Sequence, residues 1–209
     1  MPYVIRPPVR KMSVAGILAA LTLCALLALS PSRADASDCD SASVSNPFAS
    51  FLDFADYSLV PGGDFESGDA GWTLDDAAVA PGNESHQVGG SGDSHSLLID
   101  DKGEAASPAF CVGSQHPTFR FFAQRVKGRG GSLKVSLRWN EDGHTRKVLV
   151  DTLAGKSYGS WQPSDILPLA RWLDLDDDAG TKDAQLVFEA KGGRADWAID
   201  DVFYDPYRR

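Results

Sequence analysis

Histidine and cysteine are scarce in this chain, four and three among 209 residues, and neither is spaced for chemistry. His86, His95, His116 and His144 form no His-x-x-x-His pair and no Cys/His zinc pattern. No Gly-x-Ser-x-Gly elbow and no phosphate-cradling glycine loop is present. Carboxylates are plentiful, but nothing singles out two of them as an acid and base pair, so a non-catalytic chain is expected. A long amphipathic helix is also missing. Ile166, Leu167, Leu169, Ala170 and Leu173 have helical spacing, but Pro168 interrupts them. There is no internal repeat and no sign of a second domain.

Basic residues are outnumbered, 20 Lys+Arg against 29 Asp+Glu, for a net charge of −9. Four of the bases lie in the first 36 residues. Arg6, Arg10 and Lys11 precede an apolar run at 14–29, broken only by Gly16, Thr22 and Cys24, and Ala34-Asp35-Ala36 has the form of a cleavage site. Residues 1–36 therefore read as a secretory signal peptide. The run is shorter than the ~20 residues a spanning helix needs, so no membrane span is expected in the mature chain. Without these residues 16 bases face 28 acids. That balance disfavours nucleic acids and anionic membrane surfaces as partners. The expected product is a secreted or cell-surface monomer of one domain.

Cys39 and Cys111 are the cysteines left after processing, and in an exported chain they are expected to pair. A bridge over so long a loop is worth about 4 kcal/mol in the chain-entropy model. It would pin an N-terminal arm at 37–58, whose Phe48, Phe51 and Phe54 call for packing. Residues 82–96, rich in Gly, Ser, Asn and His, read as a loop, with a glycosylation sequon at Asn83-Glu84-Ser85.

Beyond residue 96 the chain reads as strands: 97–100, 106–112, 118–126, 132–139, 146–152, 185–190 and 196–204. β-branched and aromatic residues alternate with polar ones, and Gly or Asp clusters punctuate them, as in an all-β sandwich. Parity assigns faces. Leu133, Val135, Leu137 and Trp139 point inward, as do Phe119, Phe121 and Ala123. With Lys127-Gly128-Arg129-Gly130-Gly131 as a turn, 118–126 and 132–139 are expected to pair as a hairpin, Phe121 beside Trp139 and Ala123 beside Leu137. The outer face of that hairpin would carry Arg120, Phe122, Gln124, Lys134, Ser136 and Arg138, with Asn140 at its end. This is a basic strip suited to an anionic wall or capsule polysaccharide. Tyr158, Trp161 and Trp172 offer a second surface at a loop edge.

Two end segments carry a family resemblance. Leu59-Val60-Pro61-Gly62-Gly63-Asp64-Phe65-Glu66-Ser67-Gly68, followed by Gly71-Trp72, and Trp197-Ala198-Ile199-Asp200-Asp201-Val202-Phe203-Tyr204-Asp205-Pro206 resemble the first and last strands of jelly-roll carbohydrate-binding modules of the galactose-binding-like type. The resemblance spans about 59–206. It implies a single antiparallel β-sandwich and a non-catalytic module that binds an extracellular glycan. It further implies a structural calcium ion held by Glu66 and Asp200, with Asp64 and Asp201 as further candidates, and it places Trp72 and Trp197 in the core. Two readings compete with it: a cell-surface structural or protein-interaction domain without a sugar site, and a polysaccharide-cleaving enzyme of the same fold class. The acidic run 174–180 fails as an EF-hand, because Ala179 and Gln185 stand where Gly and Glu are needed.

Overall fold

Alternating apolar and polar residues build eleven strands among the described residues. The computed structural model describes residues 39, 43–173, 175 and 180–207; the segment read as a signal peptide and most of the acidic run 174–180 lie outside them. The strands are β1 (Ser58–Leu59), β2 (Thr73–Pro81), β3 (His95–Ala106), β4 (Phe110–Gly113), β5 (Thr118–Arg125), β6 (Ser132–Glu141), β7 (His144–Ala154), β8 (Gln162–Pro163), β9 (Leu167–Pro168), β10 (Thr181–Lys191) and β11 (Trp197–Tyr204). Among the described residues of 166–175 there is no long helix; they carry β9 and a single 3-10 turn at Ala170–Trp172.

Every strand pairing is antiparallel, and one path runs β7-β6-β10-β3-β11-β5-β8. The long β3 bends this path into two layers. Its end at Glu104–Ala106 pairs with β10, and its start at Leu97–Ile99 pairs with β11. One layer is thus β7-β6-β10 with β4, the other β11-β5 with β1, β8 and β9. Leu133, Val135 and Leu137 of β6 and Leu186 and Phe188 of β10 face Phe119, Phe121, Trp197 and Ile199 from the opposite layer. Phe188 joins them, 5.0 Å from Phe121 and 6.0 Å from Trp72 between ring centroids. Trp72 and Trp197 are both buried in this core, as the end motifs implied.

The expected hairpin of residues 118–139 does not exist. β5 pairs with β11, while β6 pairs with β7 and β10. Phe121 is therefore not beside Trp139, nor Ala123 beside Leu137; they meet the core from opposite layers. The glycine run between β5 and β6 is a crossover between layers, packed against the turn that precedes β11. A Cβ at Gly128, whose φ is +81°, would lie 2.6 Å from the Arg194 carbonyl oxygen. Glycine is needed here for close approach of two backbones rather than for a two-strand turn. Parity sorts the faces correctly, but it is silent on which strand lies beside which.

The outer face of β5 and β11 is not solvent. Residues 43–57 lie across it and make a second apolar cluster of Phe48, Ala55, Tyr57, Phe122 and Phe203. Phe48 stacks on Phe122 at 5.5 Å and meets Tyr57 edge-on at 4.9 Å. Every residue of β11 is buried: Trp197, Ile199, Val202 and Tyr204 face the main core, Phe203 lies under the arm, and Asp200 lies beneath the Glu84 amide. Cys39 and Cys111, 72 positions apart in sequence, are joined with their Cα atoms 5.5 Å apart, which ties the arm to β4.

Candidate functional site

The six residues expected to share one open strip fall on two outer faces. Arg120, Phe122 and Gln124 belong to β5, beneath or beside the arm. Lys134, Ser136 and Arg138 belong to β6, on the other layer. Phe122 is fully buried, because a large apolar ring on an outward position is stabilised by cover, which Phe48, Phe51 and His86 supply. Arg120 is also buried. Its Nη1 donates to Asp53 Oδ2 at 2.8 Å, its Nε and Nη2 donate to the Ser164 carbonyl, and its guanidinium lies 4.4 Å from the centre of the Phe48 ring. Ser136 is buried as well, and Gln124 and Lys134 are half-buried. The arm thus occupies the β5 half of the strip.

Arg138 lies elsewhere, in a hollow of about 650 Å³ on the outer side of the β6–β10 layer. Arg138 and Asn140 enter from β6, Thr145 from β7, and Asp183 and Gln185 from β10, with Trp139, Lys182, Thr181 and Ala109 completing the lining. Register explains the meeting: Arg138 stands opposite Gln185 on one side and Lys147 on the other. Arg138 Nε donates to Gln185 Oε1 at 3.1 Å, and Gln185 Nε2 donates to the Ser107 carbonyl at 2.7 Å. Gln185 is thereby occupied in holding Arg138. Asn140 Oδ1 accepts from Thr145 Oγ1 at 3.1 Å, which leaves its amide hydrogens for the hollow. Asp183 and Gln185 carry no mark in the sequence. Alternation within β10 sets them outward, opposite Ala184 and Leu186, but only the β6–β10 pairing brings them to Arg138.

The end motifs meet beneath the loop 82–94. Glu66 Oε1 accepts from the amides of Ser94 and His95 at 2.8 and 2.7 Å. Burial opposes ionisation of Glu66, but these amides outweigh it and hold the carboxyl below the usual range. Asp200 accepts from the Glu84 and Asp201 amides at 3.0 and 2.9 Å. No contact among the described residues joins Glu66 to Asp200; each carboxylate is satisfied by its own amides. Burial and the neighbouring Asp201 push Asp200 up to about 9.

Asp201 is different. It sits in a β-bulge between the Asp200 and Phe203 pairings, with φ +49°, and it is 1 % exposed. The Gly89 amide stabilises its charge in part, but neither oxygen is held in a hydrogen bond of ordinary geometry. Burial and the charges of Glu84, Asp93 and Asp64 push it up to about 7. A Cβ at Gly89 would collide with Asp93 Oδ2 and lie 2.9 Å from Asp201 Oδ1, so both carboxylates press on one small space. Two acids facing one space, one of them with orphaned oxygens, suit a hard cation whose other ligands are carbonyls and water. No three His, Cys, Asp or Glu side chains among the described residues converge to hold a metal by themselves. Glu66 and Asp200, expected to share a calcium ion, are each engaged with backbone amides, while Asp201 and Asp93 face one space beside Gly89.

No family model matches the sequence, and no curated protein matches it. Solved structures do resemble the fold. The tandem CBM22-1–CBM22-2 domain of Paenibacillus barcinonensis Xyn10C superposes with a TM-score of 0.50 at 12 % identity, over 70 % of this chain and 44 % of that one. The CBM22-1–GH10 modules of the Clostridium thermocellum xylanase 10B, complexed with xylohexaose, give 0.49 at 15 %, over 70 % and 28 %. The K3 cleaved adhesin domain of Porphyromonas gingivalis Lys-gingipain gives 0.47 at 16 %, over 71 % and 98 %. The chain spans less than half of the first two. At such identities the likeness bears on fold alone, and the fold is an antiparallel jelly-roll β-sandwich.

Proposed function

We propose that this protein is a secreted, non-catalytic carbohydrate-binding module whose site is the hollow on the β6–β10 layer. The observation that carries the reading is the set of side chains there. Arg138 is held in place by Gln185, and Asn140 and Asp183 line the same hollow, so that donors and acceptors of the kind that bond sugar hydroxyls are gathered there. The size of the hollow is that of a small-ligand site. An anionic polysaccharide would call for a continuous basic strip, and that support is gone because Arg120 is engaged under the arm. Glycan-array binding by the intact protein, lost in an Arg138→Ala, Asn140→Ala double variant that still folds, supports the reading. Binding unchanged in that variant removes the site.

A calcium ion with a structural role belongs to the same proposal. Asp201 and Asp93 would hold it between the bulge of β11 and the loop 82–94, neutralising two carboxylates that otherwise repel. Calorimetric titration with calcium tests it, and absence of a heat of binding rejects it.

The second reading, a protein-interaction domain, has its own observation. Leu52 and Phe54 are 83 % and 71 % exposed on the arm, beside a hollow of about 430 Å³ lined by Asp53, Ala55, Tyr57 and Ile166. Cell-surface binding that is lost in Leu52→Ser, Phe54→Ser and kept in the Arg138 double variant would favour it.

A further inference from the structure

We infer that Gln185 is a positioning residue of the hollow: anchored on the Ser107 carbonyl, it fixes the guanidinium of Arg138 in one orientation and leaves Nη2 as the group that meets the sugar. The inference rests on the carbohydrate-binding reading and adds the device that makes the site rigid before a ligand arrives.

The device begins where β3 gives way to β4. Both strands pair with β10 on the side away from β6, Ala106 opposite Val187 and Phe110 opposite Ala184, with residues 107–109 between them. Ser107 is fully buried in this break. Its amide donates to the Leu186 carbonyl at 2.9 Å, as in an ordinary antiparallel ladder. The return bond differs. The Leu186 amide donates to Ser107 Oγ at 3.0 Å, and that hydroxyl donates to the Pro108 carbonyl at 2.8 Å. The Ser107 hydroxyl thus stands in for the Ser107 carbonyl in the ladder. The carbonyl is released to accept from Gln185 Nε2 at 2.7 Å.

This anchor decides which way the Gln185 amide points. A carbonyl only accepts, so Nε2 faces Ser107 and Oε1 faces Arg138. Oε1 accepts from Arg138 Nε at 3.1 Å, and Glu104 Oε1 takes a longer bond of 3.4 Å from Arg138 Nη1. Restraints on two nitrogens of one planar group fix its orientation. Both hydrogens of Nη2 remain without a protein partner among the described residues. The Arg138 side chain is 26 % exposed. An arginine at that exposure samples several rotamers unless it is held, and a ligand that must order it binds more weakly.

The test combines nuclear magnetic resonance with calorimetric titration of the full protein, with neutral xylo- and gluco-oligosaccharides as probes. In ligand-free wild type the Arg138 Nε–H should exchange with water about tenfold more slowly than that of the exposed Arg129. Gln185→Met keeps the length of the side chain and removes both hydrogen bonds, and it should abolish the difference. The same variant should weaken oligosaccharide binding roughly threefold to tenfold, the scale of ordering one long side chain. That loss should vanish on an Arg138→Ala background, because Gln185 acts through Arg138. A lower melting point with unchanged affinity would make Gln185 merely structural and overturns the inference, as does equal exchange at Arg138 and Arg129 in wild type. A loss that persists in full without Arg138 would make Gln185 a direct ligand and also overturns it. Each of these results leaves the carbohydrate reading standing. Failure of wild type to bind any of the oligosaccharides overturns both.

Discussion

Arg120 and Asp53 form a closed pair, 2.8 Å apart with side chains 9 and 13 % exposed, and this pair fastens the N-terminal arm to the outer face of β5. Tyr57 completes it by donating to Asp53 Oδ2 at 2.7 Å. Removing one partner leaves the other charge buried and unpaired. Asp53→Asn and Arg120→Ala should each cost about 3–5 kcal/mol. Urea unfolding checks this; a cost near that of an exposed ion pair would mean the arm is only loosely applied.

The same pair has a pH signature. Burial raises the pKa of Asp53, but hydrogen bonds from Tyr57, Arg120 and the Ala55 amide, with the Arg120 charge, outweigh it and hold the carboxyl below its usual value. A folded pKa depressed in this way contributes stability above the unfolded pKa of about 4 and loses it as pH falls through the folded value. The contribution should be full at pH 6 and shrink below pH 4. Melts of wild type and Asp53→Asn should therefore converge toward low pH; a constant gap between pH 3 and pH 6 contradicts the assignment.

Reduction of the Cys39–Cys111 bridge, or Cys39→Ser with Cys111→Ser, should lower stability by about 4 kcal/mol, given the 72-position separation. The main core should survive, because Cys39 joins through the arm while the core strands pair independently of it. Near-ultraviolet circular dichroism retained after reduction, with a lower melting point, is the expected result.

Calcium should raise the melting temperature of chelator-treated protein, and Asp201→Asn should abolish the rise while Glu66→Gln retains most of it. The ranking follows from the orphaned oxygens of Asp201 and the amide-satisfied oxygens of Glu66. The reverse ranking would restore the ion to the first strand.

Much of the fold is legible in the sequence. Alternation places Leu133, Val135 and Leu137 inward, the end motifs place Trp72 and Trp197 in the core, and Cys39 and Cys111 are the two cysteines that pair. The site is less legible, for a physical reason. Side-chain alternation is a local property, whereas adjacency of strands is decided by the global burial of apolar faces, and β5 and β6 satisfy parity equally well beside several partners. Phe122 carries a signal that parity passes over. An outward phenylalanine among polar neighbours marks a face that will be covered, and the Phe-rich arm is at hand to cover it. The partners of Arg138 on β10 lie more than forty residues further along the chain and carry no motif of their own.

Carbohydrate binding at the β6–β10 hollow is tested by the affinity of the Arg138→Ala, Asn140→Ala double variant against that of wild type. Loss of two sugar hydrogen bonds, one of them charged, should weaken binding of a neutral oligosaccharide about tenfold to a hundredfold, with the melting point unchanged. Equal affinity in the two folded proteins, or no oligosaccharide binding by wild type, would contradict it.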